Sequence, residues 1–353
     1  MKIATIIGAR PQFIKASMIS MEISKHESIK ESIIHTGQHF DHNMSKIFFD
    51  EMEIPKPDYN LNIHSLSHGA MTGRQLEEIE KVLIKDKPDF VVVYGDTNST
   101  LAGALASTKL NIPLAHIEAG LRSFNRKMPE EINRILSDSI SSLLFCPTLT
   151  AIENLHNEGI TEGVYNVGDV MYDAVLRFSQ VAENKPELFE HIDIKQQKYI
   201  LATVHRQENT DNLESLTNIF STFAELPFPI IIPMHPRTKK RLLENKINFG
   251  SNILSIDPVG YLEMISLIKN CKFLMTDSGG LQKEAYFLKK PCITLREETE
   301  WVETIKSGWN ILVGSNPKKI VKAITNITIP DNHFNYYGDG NSGEVILNHI
   351  INY

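Results

Sequence analysis

The chain has 353 residues, enough for two cores of ordinary domain size, and its 42% apolar and 22% charged residues are the balance of a soluble globular fold. A net charge of −7 leaves no basic excess to offset phosphates, which argues against nucleic acid as the main partner but leaves room for a small anion held by local cations. No run approaches the roughly 20 apolar residues of a membrane helix, and Cys146, Cys271 and Cys292 lie far apart without CxxC spacing, so buried thiols in a reducing, cytoplasmic setting are expected.

The N-terminal "MKIATIIGARPQ" has no signal-peptide pattern and predicts a first strand, followed by Gly8-Ala9-Arg10-Pro11. "SIIHTG" predicts the next strand and "GRQLEEIEKVLIKDK" a helix. "DFVVVYGD" predicts a strand that runs into Gly95-Asp96-Thr97 before the helix "LAGALASTK". "PLAHIEAGLRS" is a buried-strand pattern that ends in Glu118, with only Ala119 and Gly120 beside it. In "MPEEINRILSDSISSLL", Ile132, Ile135, Leu136, Ile140 and Leu143 keep helical spacing, which predicts a helix. Pro129 suits its first turn, Glu130 and Glu131 suit its macrodipole, and Glu130 and Arg134 share a face at i, i+4. "LLFCPT" closes this series, and residues 168–198 are polar with no core strand. A second series follows: "YILATVH", "FPIIIPMH", "NILSID", the helix "GYLEMISLIKNCK", "KFLMTDS" and "PCITL". The tail ends in an amphipathic helix that could cross back to the first domain.

The strands are short, rich in Ile and Val, and mostly not alternating, as in parallel strands buried on both faces. Strand–helix alternation then predicts an α/β protein of two doubly wound, Rossmann-like domains facing an interdomain cleft. The expected division is 1–168 with the helix 339–353, and 169–338. The strands run into polar residues: Arg10, Asp96, Glu118, His205, His235 and Asp277-Ser278-Gly279-Gly280 all fall where such folds bind ligands. Gly279 and Gly280 let backbone N–H groups meet an anion at a helix start, with Glu284 one turn on to accept from a ribose diol. The alternative is a tight strand–helix turn with Ser278 as N-cap. Asp96 is either a working acid or a helix cap, and His205 and His235 are either ligand groups or internally satisfied ones. There is no P-loop and no GxGxxG, and "HRQE" lacks metal-ligand spacing.

"GARPQFIK", "TGQH", "GDTNSTLAGALA", "HIEAGLRS", "PEEINR", "VHRQEN", "HPR" and "DSGGLQKEA", in this order over most of the chain, resemble the non-hydrolysing UDP-N-acetylglucosamine 2-epimerases, which share the GT-B fold. The resemblance implies elimination of UDP from C1 with loss of the C2 proton, a 2-acetamidoglucal intermediate, and re-addition on the other face. It implies Asp96, Glu118 and Glu130 as acid/base and ring-stabilising carboxylates, with His205 assisting. It implies that Arg10, Lys15, Arg134, His235, Ser278, Gly279, Gly280 and Glu284 hold the UDP-sugar. No cofactor, no metal and a homodimer are implied. Gln38, His39 and Arg74 correspond to a second, regulatory UDP-sugar site, although the loop "QHFDHNMS" departs from the family there. "TEWVE" stands where the family commonly has Thr-Glu-Arg-Pro-Glu. Both departures resemble the subgroup acting on UDP-2,3-diacetamido-2,3-dideoxy-glucuronate for surface polysaccharide. For that sugar, Trp301 is a candidate for packing on the added acetamide, and Arg122, Arg126 and Lys127 are candidate cations for the carboxylate. The alternative from another class is a retaining GT-B glycosyltransferase.

Overall fold

The computed structural model describes residues 1–38, 54–183, 199–247 and 250–353. The chain divides into two units, Met1–Leu176 with Asn335–Tyr353, and Arg177–Phe334. In the first, the elements are β1 (Lys2–Ile7), α1 (Arg10–Ile23), β2 (Lys30–His35), β3 (Tyr59–Asn60), α2 (His68–Asp86), β4 (Phe90–Tyr94), α3 (Asn98–Lys109), β5 (Leu114–Ile117), α4 (Pro129–Ile140), β6 (Leu143–Cys146), α5 (Leu149–Asn157) and β7 (Val164–Asn166). Helix α6 (Val170–Glu183) carries the chain over the division. The second unit holds β8 (Ile200–Thr203), α7 (Gln207–Thr210), α8 (Leu213–Ala224), β9 (Ile230–Pro233), α9 (Pro236–Glu244), β10 (Ile253–Ile256), α10 (Tyr261–Asn270), β11 (Leu274–Thr276), α11 (Gly279–Phe287), β12 (Cys292–Thr294), α12 (Val302–Lys306), β13 (Asn310–Leu312) and α13 (Pro317–Asn326). The last helix, α14 (Ser342–Ile351), packs on α1 in the first unit.

Both sheets are parallel throughout their described pairings. The first has the order β3-β2-β1-β4-β5-β6-β7 and the second β10-β9-β8-β11-β12-β13. In each, the strand order reverses beside the first strand, between β1 and β4 and again between β8 and β11. The C-terminal ends of that central pair are where open α/β sheets bind ligands.

Burial on both faces explains the uninterrupted apolar runs. All five residues of β4 are buried. In β8, Ile200 and Ala202 enter one core with Phe220, Ile232 and Met275, while Leu201 enters the opposite core with Leu267, Leu274 and Cys292. The three cysteines are buried and unpaired. Burial pushes the Cys271 and Cys292 thiols up to about 12, so they serve as small core residues.

Helix α4 turns its polar face inward. Its buried residues are Glu131, Asn133, Arg134, Ser137 and Asp138, whereas Ile132 and Leu136 are 38% and 43% exposed. Leu143 lies on β6. Periodicity identified the helix and its two faces but not which face turns inward. The polar face does so because its buried groups bond one another and the ends of β4 and β5.

Candidate active site

In the first unit, Tyr94 pairs with Ile117 in parallel register, so the two chains leave the sheet side by side and deliver Asp96 and Glu118. Asp96 does not cap the following helix: Thr97 is the N-cap of α3, accepting from Thr100 N at 3.3 Å. Asp96 Oδ2 instead accepts from Arg134 Nη2 at 2.7 Å and from its Nε at 3.1 Å. The third Arg134 nitrogen, Nη1, donates to Glu131 Oε2 at 2.6 Å. Burial would raise the Glu131 carboxyl, but the Ser123 N–H and the Arg134 guanidinium hold it below the usual carboxylate range. Arg134 therefore pairs with Glu131 and Asp96, not with Glu130 as the i, i+4 spacing suggested. Glu130 lies half-buried in the first turn of α4, and its carboxylate makes no hydrogen bond or ion pair among the described residues.

Glu118 has φ of +74°, in the left-handed region that costs a residue with a Cβ roughly 1–2 kcal/mol. Its carboxylate pairs with Lys15 Nζ, and both side chains are nearly buried. A Cβ at Gly95 would lie 3.1 Å from Glu118 Oε2 and 3.3 Å from Lys15 Nζ, and Gly95 itself has φ of +61°. Glycine there lets the ion pair sit against the Asp96 turn. Gln12 joins this turn to the end of β1: its Oε1 accepts from Gly8 N and Ala9 N, and its Nε2 donates to Tyr94 O at 2.8 Å. Arg10, at the start of α1, is carried by that same β1 turn.

In the second unit, Asp277 ends β11 fully buried. It accepts from His205 N, Arg206 N and Asn209 Nδ2, and its Oδ1 lies 3.1 Å from His205 Nδ1. Burial opposes its charge, but these partners, His205 first, hold the carboxyl below its ordinary value. The His235 ring is 6.3 Å from that of His205. His235 Nδ1 accepts from Arg237 N at 3.2 Å, and its pKa is lowered, first by burial and then by the charges of His205 and Arg237. Ser278 caps α11, accepting from Leu281 N. A Cβ at Gly279 would stand 3.8 Å from each of Arg206 Nη2, Arg296 Nη1 and Trp301 Nε1. One at Gly280 would be 4.0 Å from Glu284 Oε1. The Arg206 guanidinium, the Arg296 guanidinium (paired with Glu300), an indole nitrogen and a helix N-terminus thus lie around Gly279, which has no side chain of its own, a geometry suited to a diphosphate. Gln282 braces the turn, donating to Ser278 O at 3.2 Å and accepting from Thr299 Oγ1 at 2.7 Å.

Several expected residues take other positions. Arg122 is buried, with Nη1 on Asp138 and Nε and Nη2 on Glu158 at 2.7 Å each, so it is committed within the fold and does not serve as a cation for a substrate carboxylate. Arg126 and Lys127 are exposed. Gln38 Oε1 accepts from Ser99 N and Ser99 Oγ, whereas Arg74 lies on the exposed face of α2 and pairs with Glu77. His39 lies outside the described residues, as do Phe40 and Asp41. Trp301 is buried with Lys283 Nζ 3.7 Å from its ring centroid. Asp277 was visible in the sequence as a polar residue directly after a strand. Gln12, Arg206 and Gln282 stand inside the quoted motifs but were given no role, and Arg296 was not singled out, because each acts across elements that only folding brings together.

Two doubly wound parallel sheets, each with charged groups at its switch point, form a fold of the GT-B type. The family model described as UDP-N-acetylglucosamine 2-epimerase matches residues 21–351. The chain is 58% identical to a UDP-N-acetylglucosamine 2-epimerase homolog of Methanococcus maripaludis, with 100% of both chains covered. It is 52% identical to the UDP-2,3-diacetamido-2,3-dideoxy-D-glucuronate 2-epimerase of Pseudomonas aeruginosa, with 99% of each covered. The crystal structure of Methanocaldococcus jannaschii UDP-GlcNAc 2-epimerase in complex with UDP-GlcNAc and UDP superposes with a TM-score of 0.93 at 49% identity, covering 100% of both chains. The chain belongs to the UDP-N-acetylglucosamine 2-epimerase family and is an isomerase, not the glycosyltransferase weighed from sequence. Among the described residues no helix is long and apolar enough to cross a membrane.

Proposed function

We propose that the chain inverts C2 of a UDP-2-acetamido sugar without hydrolysing it. One carboxylate takes the C2 proton as the C1–O bond breaks. The bond's electron pair leaves with UDP, and a C1=C2 double bond forms. UDP then adds back to C1, and C2 takes a proton on the opposite face. The C2–H is not next to a carbonyl and is weakly acidic. Its removal therefore needs a well-held leaving group and carboxylates near the positive charge that develops on the ring. Asp96, Glu118 and Glu130 fill the carboxylate roles. His205 assists departure of the diphosphate, while Arg10, Lys15, Arg134, His235, Ser278, Gly279, Gly280 and Glu284 hold the UDP-sugar. The observation that carries this reading is the pair of acids on adjoining strand ends, each with its own cation: Glu118 with Lys15, and Asp96 with Arg134.

The favoured substrate is UDP-2,3-diacetamido-2,3-dideoxy-glucuronate, with UDP-N-acetylglucosamine second, and the product serves surface polysaccharide or lipopolysaccharide synthesis in the cytoplasm. The 52% identity to the Pseudomonas enzyme named for that sugar supports it. The outward apolar face of α4, Ile132 and Leu136, supports a homodimer. The test is proton NMR in D₂O with each nucleotide separately. Deuterium at C2 with a new manno-type anomeric signal is expected, and Asp96→Asn and Glu118→Gln should abolish it while UDP still binds. Absence of exchange with both nucleotides, or normal turnover in both variants, would refute the proposal.

A further inference from the structure

Behind the two acids lies a buried ionic chain that the elimination and re-addition steps do not use. His116, on β5 two residues before Glu118, is fully buried. Its Nε2 lies 2.7 Å from the carbonyl oxygen of Gly95, and its Nδ1 lies 2.7 Å from Asp138 Oδ1 on α4. A carbonyl oxygen only accepts, so Nε2 donates. Asp138 Oδ2 already accepts from Arg122 Nη1 at 2.7 Å and from Gly120 N at 3.1 Å. Burial works against the Asp138 charge, yet the His116 and Arg122 charges keep its carboxyl below the ordinary range. With the Arg122 guanidinium and the Gly120 N–H both donating to its Oδ2, Asp138 is the anion, and Nδ1 donates to its Oδ1. The ring needs both N–H groups, which the imidazolium form supplies and neutral imidazole does not.

The placement matters more than the pairing. Gly95 immediately precedes Asp96, and its N–H donates to Ile117 O at 2.9 Å. Strand β5 thus grips Gly95 by its N–H through Ile117 and by its carbonyl through His116. On the other side Asp138 holds the N–H of Gly120, two residues after Glu118. Arg122 extends the chain to Glu158. The Cys146 thiol is pushed up by burial first and then by the Asp138 charge. Packing alone would be served as well by apolar residues of similar volume. A fully satisfied ionic network here specifies the position of the two turns that carry the acids.

Resting on the epimerase reading for the role of those acids, we infer that His116, held by Asp138, is a positioning residue that sets the Asp96 turn against the Glu118 turn from beneath the site. Its expected signature is a loss of kcat without loss of binding. His116→Gln keeps a single donor nitrogen and sets an accepting oxygen against the second acceptor, so it cannot serve both. The Asp96 turn then relaxes, and a shift on the order of 1 Å lowers turnover about 100-fold. KM and the UDP dissociation constant stay within about threefold, since the groups that contact nucleotide are untouched.

The experiment has two arms. Steady-state kinetics and UDP titration are measured on wild type and His116→Gln. Nitrogen-15 NMR of the histidine rings is recorded on the wild-type protein at neutral pH, with the His116 signals identified by their absence from the variant or from His116→Asn. Protonation at both ring nitrogens, together with a loss confined to kcat, supports the inference. An unprotonated ring nitrogen on His116, a loss carried by KM, or a kcat within threefold of wild type overturns it. If wild type does not epimerise either nucleotide, the functional reading fails, and the NMR arm still decides whether His116 holds both acceptors.

Discussion

Arg134 gives the sharpest test of the electrostatics, because one guanidinium serves two acids of very different exposure. Replacing it as Arg134→Met keeps the volume and removes three hydrogen bonds, of 2.6, 2.7 and 3.1 Å. On the Glu131 side the carboxylate is 1% exposed and water does not replace the lost donor, although the Ser123 and Phe124 N–H groups remain, at 3.0 and 2.8 Å. A buried charge-assisted bond lost in this way costs about 2–3 kcal/mol. On the other side Asp96 is 33% exposed and rehydrates, so its share is under about 1 kcal/mol. The expected total is about 3 kcal/mol, read as a lowered midpoint at unchanged slope in urea unfolding. The double variant Arg134→Met with Glu131→Gln removes the stranded charge and should recover about half of this, a coupling that a double-mutant cycle isolates. A single-variant loss under about 1 kcal/mol, or a double variant no better than the single, would show that Glu131 does not depend on Arg134 and would overturn this account of the pair.

Acid sensitivity and assembly give further tests. Glu131, Asp138 and Asp277 all have folded pKa values below their ordinary ones, so each contributes stability that is full above the unfolded carboxylate value, near about 4, and is lost as pH falls through the folded value. These three carboxylates should therefore add a fall in stability below about pH 4. Asp277→Asn should remove up to about one proton, or about 1.4 kcal/mol per pH unit, from that slope; an unchanged acid limb in urea titrations would contradict the assignment. Leu136→Lys, on the outward face of α4, should convert a dimer to monomer in sedimentation velocity; a monomeric wild type at micromolar concentration would refute the self-association proposal.

Much of the fold was legible because buried parallel strands leave an unmistakable trace. "FVVVY" and "IIIP" need no partner to be identified as two-sided core strands, and the polar residues that end them mark the ligand edge of the sheet. The short edge strands β3, β7 and β13 were missed, since they are mostly half-buried or exposed and leave no apolar run, unlike the equally short but fully buried β11 and β12. Asp96, Glu118 and the Ser278-Gly279-Gly280 turn were identified by position alone, as polar or small residues directly after an apolar run. Local sequence specifies such features, because strand, turn and helix start are contiguous in the chain.

Direction and pairing were not legible. The stripe of Ile132 and Leu136 said that α4 has two faces, and packing alone selected the polar one for burial, where Asp138 and Glu131 find partners from β5 and the loop after it. Sequence put Glu130 beside Arg134; the structure chose Glu131, one residue on, because three residues along a helix align as well as four and the Ser123 loop was there to share the charge. His116 was one more residue inside an apolar strand until β4 and α4 came to lie on either side of it. The order of residues dictates which chemical groups stand at each strand end. Which of those groups meet is set by the packing of distant segments, because a charge is buried only where such segments supply its partners.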